Sequence, residues 1–248
     1  MRGFLRAAIS ALHPVDVVPS PNIWHWPDVY EMENRAQDAG GALWRALRAE
    51  CDWAGSDVVD VGCGDGFHLP VFAATARSVV GVEPHPPLVR RAQRRTAALD
   101  HVTVVAGAAQ RMPLPDGCAD LVHARTAYFF GRGCEPGLRE AERVLRPGGA
   151  LAIVDLDAAR PPYGTWMCAD LPHYDPADVT AFFAEQGFTC RRVDTIWRFP
   201  DRASLEATLR IEFSAEVAAR AIAETPGLTI PVGYRLHVRR KPTGLVLP

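Results

Sequence analysis

Lysine is nearly absent from this sequence, and its acidic and basic residues nearly balance. Lys241 is the only lysine among 27 basic residues, and the formal net charge at pH 7 is −2. Proteins that bind nucleic acids present clustered positive charge, so this balance argues against a DNA or RNA partner. A phosphate-binding P-loop is also excluded, because no lysine follows the glycines of residues 62–66.

Cysteine pairs with metal-binding spacing are missing. The six cysteines form no C-x-x-C pair and have no histidine cluster beside them: Cys51, Cys63, Cys118, Cys134, Cys168 and Cys190. We therefore expect neither a disulfide framework nor a metal site. Each cysteine is interpreted as a small buried apolar residue. A reducing compartment, the cytoplasm, is expected.

Long hydrophobic runs are also missing. No stretch approaches the ~20 apolar residues that span a bilayer, so no membrane partner is expected. The N-terminal stretch MRGFLRAAISAL has an apolar helical stripe, but Arg6 interrupts the run and no small-residue cleavage pattern follows. It is interpreted as a short covering helix and not as a signal peptide.

Strand and helix patterns alternate through the middle of the chain. Runs rich in Val, Ile and Leu occur at residues 57–62, 78–83, 102–107, 119–124 and 150–156, and two further strands are predicted at 188–199 and 229–240. Continuous apolar runs indicate strands covered on both faces. Alternation with helices predicts an α/β fold with a doubly wound, seven-stranded, mostly parallel Rossmann-like sheet and an N-terminal helical cap.

The ends of the chain differ from this middle. Residues 1–52 are predicted as an N-terminal covering segment with helices, irregular over 13–30 and helical over 31–51. Residues 53–248 are predicted as the main domain. Within it, residues 157–175 are rich in proline and aromatics and are predicted as a lid, and residues 201–224 as a helical insertion.

The stretch VVDVGCGDGFH, residues 58–68, places glycines at every second position after the first strand. Ligands of open α/β sheets bind at the carboxyl ends of the strands. The dinucleotide fingerprint G-x-G-x-x-G requires glycine where this chain has Phe67. Glu83, at the end of the second strand, can accept hydrogen bonds from both hydroxyls of a ribose. The loop is therefore predicted to hold a nucleoside.

Four segments together carry a family resemblance. D-V-G-C-G-D-G, Glu83, AAQRMPLPDGCADLVHAR and ERVLRPGGALAIVD resemble class I S-adenosylmethionine-dependent methyltransferases, of the small-molecule type grouped with the ubiquinone-biosynthesis enzymes. The resemblance covers roughly residues 55–157. It implies S-adenosyl-L-methionine as cofactor and in-line methyl transfer to a small molecule, a metabolite or natural product.

The resemblance also implies a set of cofactor contacts at the strand ends. The methionine part would be bordered by Asp60, Gly62, Cys63 and Gly64, and the ribose hydroxyls would be bound by Glu83. Pro84 would lie against one face of the adenine and Ala109 and Gln110 against the other. Ala124 and Arg125 would lie beside the sulfonium.

Position 108 departs from the family pattern. Similar proteins usually carry an acidic residue there, which accepts a hydrogen bond from the adenine amino group, but this chain has Ala108. Either a backbone amide or Gln110 serves the adenine, or the adenine is held more weakly. A lost charge-assisted hydrogen bond costs roughly 1.5–3 kcal/mol.

Few residues are candidates for catalysis. Alignment of donor and acceptor supplies much of the rate of methyl transfer, so a base is needed only where the acceptor keeps a proton. The candidates are His68 after the last glycine, Tyr128 after the fourth strand and Asp157 after the fifth. The alternatives are a local hydrogen bond for His68, core packing for Tyr128 and a turn cap or solvation for Asp155 or Asp157. His123, inside a strand, is predicted to be a core residue.

Two aromatic segments could cover the acceptor. The predicted substrate pocket is Trp24, Trp26, Tyr128, Tyr163 and Trp166, and Tyr30 or Trp26 is predicted to contact the cofactor or acceptor. Aromatic faces suit a sulfonium cation, and closure would exclude water. Ordinary packing against the sheet is the alternative.

Other functions remain open at this point. An enzyme that cyclises or cleaves the aminobutyrate chain of the same cofactor would carry the same motifs, because these recognise the nucleoside. A non-catalytic binding module is a further alternative, and Phe67 counts against a nicotinamide-dependent oxidoreductase. Residues 201–224 could form a homodimer surface or part of the acceptor pocket.

Overall fold

The computed structural model describes residues 17, 20–128 and 131–244. The N-terminal helix expected over residues 1–12 lies outside the described residues. Seven strands are β1 Asp57–Val61, β2 Ser78–Glu83, β3 Val102–Ala106, β4 Ala119–Arg125, β5 Leu145–Leu156, β6 Thr189–Arg198 and β7 Thr229–Arg240.

These strands form one sheet in the order β3-β2-β1-β4-β5-β7-β6. The pairs β1–β2, β1–β4, β2–β3 and β4–β5 are parallel. Strand β7 runs antiparallel to β6. The Thr189 hydroxyl near the start of β6 bonds the Val238 carbonyl near the end of β7, and the later Thr195 hydroxyl bonds the earlier Val232 carbonyl. The predicted α/β fold with a mostly parallel seven-stranded sheet is confirmed.

Ten helices connect or flank these strands among the described residues. They are α1 Pro21–His25, α2 Pro27–Ala36, α3 Ala42–Glu50, α4 Leu69–Ala73, α5 Pro86–Arg95, α6 Glu135–Val144, α7 Tyr163–Asp170, α8 Pro176–Glu185, α9 Arg202–Glu212 and α10 Ala215–Glu224. The insertion predicted at 201–224 is thus two helices. The predicted lid contains α7.

The chain divides into two compact units. One comprises Met1–Arg45, Leu156–Asp178 and Arg192–Arg235, and we call it the helical unit. The other comprises Ala46–Asp155, Val179–Arg191 and Leu236–Pro248, and we call it the sheet unit. The N-terminal helices α1 and α2, the predicted lid and the predicted insertion therefore share one unit.

The order of the sheet reverses between β1 and β4. In β1, Val58, Val59 and Val61 are buried, and Leu121 and Val122 of β4 are buried beside them. Continuous burial is what a strand covered on both faces requires, and it explains the apolar runs in the sequence. The carboxyl ends of β1 and β4 lie at this reversal, which is where ligands of doubly wound sheets bind.

A network of ion pairs joins the opposite, amino ends of these strands. Asp57 of β1 pairs with Arg77 and Arg146, and Asp120 of β4 pairs with the same two arginines. The Arg77 guanidinium, by its bonds to Asp57, holds the pKa of that carboxyl well below its usual range. The network therefore fixes the strand ends that face away from the glycine loop.

The predicted helix over residues 31–51 is wrong in one respect: it is two helices, α2 and α3. The break contains two left-handed residues, Asp38 at φ 47° and Gly41 at φ 66°. The Asp38 carboxylate accepts hydrogen bonds from the backbone N–H groups of Leu43 and Trp44, at 2.9 and 3.3 Å. Asp38 thereby satisfies N–H groups that the start of α3 leaves without helical partners.

Two other boundaries differ from expectation. The irregular segment predicted over residues 13–30 instead contains the starts of helices α1 and α2, at Pro21 and Pro27, where the missing N–H of proline costs nothing. Strand β5 begins at Leu145 and includes the glycines that were expected to precede it. At Gly149 a Cβ atom would lie 3.0 Å from the carbonyl oxygen of Asp120, so the two backbones approach closely.

The six cysteines are free, as predicted, but they are not all buried. Cys51 and Cys63 are buried, whereas Cys190 is exposed because it lies on the outer side of β6. Within residues 17, 20–128 and 131–244, no helix combines the length and apolarity needed to cross a membrane. The same residues hold no group of three or more side chains suited to a metal ion.

Candidate functional site

The glycine loop after β1 is held tightly by the elements around it. Gly62 and Gly66 have φ values of 71° and 80°, which side chains with a Cβ rarely adopt. A Cβ at Gly66 would lie 3.1 Å from the Cα of Ala92 on α5, and one at Gly81 of β2 would lie 2.8 Å from the sulfur of Cys63. The loop therefore needs glycine both for its backbone shape and for its close neighbours.

A clamp that the sequence analysis missed fixes the same loop. Asp65 is buried, and its Oδ2 lies 2.8 Å from an Nη of Arg95 on α5. Arg95 also donates through Nε to the Asp65 carbonyl at 3.1 Å, and Asp65 Oδ1 accepts from the Phe67 N–H. An acidic residue between two glycines could have drawn attention to Asp65. Its partner Arg95 could not be assigned from the sequence, because it lies 30 residues away.

Glu83, at the end of β2, is suited to a ribose. It is buried, and its two oxygens accept hydrogen bonds from the N–H groups of Gly64 at 3.0 Å and His85 at 2.9 Å. Burial raises the pKa of Glu83, although these two bonds oppose the shift. Each oxygen keeps one lone pair, so the carboxylate can accept two adjacent hydroxyls. The residues present therefore fit the nucleoside that the resemblance implies.

Asp60 is paired with a histidine that the sequence assigns only to the core. Asp60 and His123 are register partners in β1 and β4, and Asp60 Oδ1 lies 2.7 Å from His123 Nδ1. Both side chains are buried, with 4% and 1% of the residue exposed. The His123 ring also lies against Phe72 of α4, with centroids 4.9 Å apart.

The segment after β3 forms a turn beside Glu83. The Gly107 N–H donates to the Glu83 carbonyl at 3.2 Å, and the Arg111 N–H donates to the Ala108 carbonyl at 2.9 Å. Ala108, Ala109 and Gln110 are partly buried within this turn. The structure thus brings the predicted adenine segment to the end of β2, where Pro84 also lies.

The carboxyl end of β4 carries local strain. Ala124 is fully buried, Arg125 is partly buried, and Thr126 has a φ of 54°. A left-handed conformation is unusual for a β-branched residue and costs of order 1–3 kcal/mol. The Ala127 Cβ then lies 3.2 Å from where a Cβ of Gly62 would be. The strained turn therefore brings β4 against the glycine loop.

His68 lies at the start of α4, at the N-cap position. Both of its ring nitrogens are buried. Burial lowers the pKa of His68 well below its usual range, and the charges of Arg125, His123 and Arg95 act in the same direction. The imidazole is therefore neutral near pH 7 and able to accept a proton, although a depressed pKa makes it a weak base.

Tyr128 lies three residues beyond the end of β4. Only 3% of it is exposed, and its hydroxyl has no hydrogen-bond partner among the described residues. A Cβ at Gly137 of α6 would lie 2.6 Å from the Tyr128 ring, so glycine makes room for it. Burial, with smaller contributions from Cys134 and Glu140, raises the pKa of Tyr128 well above its usual range. The phenol therefore stays protonated and could only donate a hydrogen bond.

The remaining predicted residues lie in the helical unit. Asp157 is buried, with its Oδ2 3.0 Å from Nε of Arg192 and its Oδ1 accepting from the Ala159 N–H. Tyr163 and Trp166 are fully buried in an aromatic cluster with Trp197 and Phe213. Trp24 and Tyr30 are partly exposed and Trp26 is exposed. The pocket and catalytic roles of these residues stay predictions.

The helical unit contains a pair of buried carboxyl groups that no pattern in the sequence predicted. The carboxyl groups of Glu33 of α2 and Glu212 of α9 lie close enough to influence each other's ionisation. Glu212 accepts from Asn22 Nδ2 and, at 3.2 Å, from the Tyr163 hydroxyl. Burial raises the pKa of Glu212, although its interactions with these three residues oppose the shift. The two acidic residues are far apart in sequence, and only the packing of α2 on α9 brings them together.

The sheet order and the glycine loop with Glu83 define a nucleoside-binding protein of the Rossmann-like methyltransferase fold. Residues 59–153 match the family model described as a methyltransferase domain. A ubiquinone/menaquinone biosynthesis C-methyltransferase of Rubrivivax gelatinosus is 28% identical over 189 residues, covering 73% of this chain and 72% of that protein.

Two further comparisons concern the fold and the share of a relative's length that this chain covers. The crystal structure of the YcgJ protein of Bacillus subtilis matches with a TM-score of 0.59 at 19% identity, over 83% of this chain and all of that one. An uncharacterised protein of a Streptomyces fradiae transposon is 37% identical over 108 residues, which span 42% of this chain and only 31% of that protein. The resemblance is confirmed to this extent: residues 59–153 match the methyltransferase-domain family, and the chain is similar to an enzyme of the quinone-biosynthesis group.

Proposed function

We propose that this protein transfers a methyl group from S-adenosylmethionine to a small-molecule acceptor, a metabolite or natural product. The observation that carries the proposal is Glu83, which is buried, fixed by the Gly64 and His85 N–H groups and free to accept two hydroxyls. When bound, S-adenosylmethionine would supply a sulfonium methyl group that an acceptor attacks in line, with the sulfur leaving as S-adenosylhomocysteine.

The chain's own residues orient the reactants in this proposal. The glycine loop and Asp60 hold the methionine part, Glu83 holds the ribose, and the turn at Ala108, Ala109 and Gln110 with Pro84 holds the adenine. Fixed alignment of the two reactants supplies most of the rate. The tightness of the loop between β2 and α5 supports this role.

His68 and Tyr128 are proposed for the acceptor side. His68 is neutral near pH 7, so it can take a proton that the acceptor releases. Tyr128 stays protonated, so it can donate a hydrogen bond from a hydroxyl with no partner among the described residues. Asp157 is a weaker candidate, because Arg192 and the Ala159 N–H already hold its oxygens.

We also propose the cytoplasm as the location and a small molecule, not a nucleic acid, as the partner. The net charge of −2 supports the second point. A homodimer through α9 and α10 stays a proposal.

Labelled cofactor tests the function directly. The protein is incubated with S-adenosylmethionine tritiated on the methyl group and, in parallel reactions, with the small-molecule fraction or the RNA of a cell extract, and products are separated by chromatography. We expect tritium in a new small molecule with equal formation of S-adenosylhomocysteine. Release of methylthioadenosine instead would show cleavage of the aminobutyrate chain, and label in RNA would contradict a small acceptor.

A further inference from the structure

The Asp60–His123 pair lies beneath the glycine loop, on the two strands where the sheet order reverses. The 2.7 Å contact uses Asp60 Oδ1 and His123 Nδ1. The other oxygen, Oδ2, takes no part in this contact. A buried carboxylate with one oxygen fixed holds its other oxygen, itself a hydrogen-bond acceptor, in a single orientation.

The surroundings of His123 keep its ring from rotating. Its position in β4 is set by the parallel register with β1, and its ring packs on Phe72 of α4. The neighbouring strand residues Val122 and Ala124 are fully buried. His123 is therefore a rigid donor to Asp60.

We propose that His123 is a positioning residue, which orients Asp60 Oδ2 toward the amino-acid portion of the bound cofactor. The inference rests on the proposed function, because it takes Asp60 as a contact of the methionine part. The ligand group that suits a buried carboxylate oxygen is a cation that donates hydrogen bonds, here the α-ammonium of the cofactor. His123 acts only through Asp60 and touches no reacting atom.

Two ligands separate this role from a general structural one. S-adenosylhomocysteine carries the amino-acid portion, whereas methylthioadenosine has the same nucleoside and sulfur without it. Isothermal titration with both ligands measures each affinity for the wild type and for His123→Leu, His123→Asn and Asp60→Asn. Asparagine retains a donor close to the position of Nδ1, whereas leucine does not.

We expect His123→Leu to weaken S-adenosylhomocysteine about 10- to 100-fold, as the loss of a charge-assisted hydrogen bond would, and methylthioadenosine less than about threefold. His123→Asn should recover most of the affinity. In the Asp60→Asn background, His123→Leu should add little, because both changes remove the same contact. His101→Leu is the matched control, since His101 bonds the Ala73 carbonyl at 2.9 Å elsewhere in the same unit.

The proposal is overturned if both ligands weaken by the same factor, or if His123→Asn binds as poorly as His123→Leu. A wild type that binds S-adenosylhomocysteine but methylates no acceptor would contradict the proposed function and leave these affinities interpretable. A wild type that binds neither ligand would overturn both proposals. Melting curves show whether the leucine variant is folded.

Discussion

At the scale of single residues, the cofactor site depends on one carboxylate whose ionisation is shifted. Burial raises the pKa of Glu83 above its usual value, so protonation removes an acceptor at a pH where an exposed glutamate would still be charged. We expect cofactor affinity to fall as the pH is lowered from 8 toward 5.

The substitution Glu83→Gln tests this expectation. It should weaken S-adenosylhomocysteine about 10- to 100-fold at pH 8 and make the affinity nearly independent of pH, because the amide does not titrate. Titration calorimetry at several pH values measures both effects. Glu185→Gln, an exposed glutamate of the same unit, serves as the control. An unchanged pH dependence in Glu83→Gln would contradict the role of Glu83.

Single residues also show what sequence patterns leave out. Glu83 could be assigned because it follows a recognisable strand at a fixed distance from the glycines. The partners of Asp60 and Asp65 could not, since they lie 63 and 30 residues away. Asp60 and His123 could be paired only by knowing that β1 and β4 are neighbours and how they align. No local feature of the sequence predicts that alignment.

At the scale of elements, strands were predicted better than helix ends. Strand positions follow from runs of Val, Ile and Leu, because a strand covered on both faces must be apolar regardless of the conformation of its loops. The break between α2 and α3 depends on a left-handed Asp38, a conformation that composition does not reveal. The early start of β5 depends on pairing with β4, which is a long-range interaction.

The contact between α2 and α9 carries a pH dependence of its own. Because the pKa of Glu212 is raised on folding, the bound proton stabilises the helical unit at low pH. That stabilisation is lost as the pH rises from about 4.5 through the raised pKa, and the free energy of unfolding falls there by up to about 1.4 kcal/mol per pH unit. The helical unit should therefore be less stable at pH 8 than at pH 5.

Glu33→Gln should flatten this profile. Its amide can donate a hydrogen bond to Glu212 without either carboxyl group binding a proton, and it can still accept from Gln37, which bonds Glu33 Oε1 at 2.8 Å. We expect the free energy of unfolding at pH 8, measured with urea, to rise by about 1–2 kcal/mol relative to the wild type. Glu31→Gln, in the same helix, is the control. A wild-type profile that does not fall between pH 5 and pH 8 would contradict the raised pKa of Glu212.

At the scale of the whole molecule, ligand binding and stability are linked. A ligand that binds only the folded state stabilises it by about 2.7 kcal/mol at 100 times its Kd. For a chain of this size we expect S-adenosylhomocysteine to raise the unfolding midpoint by about 5–10 °C. Scanning calorimetry of wild type and Glu83→Gln at one ligand concentration measures the difference. Equal increases of the midpoint in both proteins would show that the ligand binds away from Glu83.

Strand β7 sets a condition on how the chain acquires its structure during synthesis. Its residues 229–235 belong to the helical unit and 236–240 to the sheet unit, and it lies between β5 and β6 in the sheet. A nascent chain that has reached only residue 228 therefore exposes unpaired edges on β5 and β6. Neither unit is complete until β7 has been synthesised, so the growing chain depends on protection from aggregation between the synthesis of β5 and that of β7.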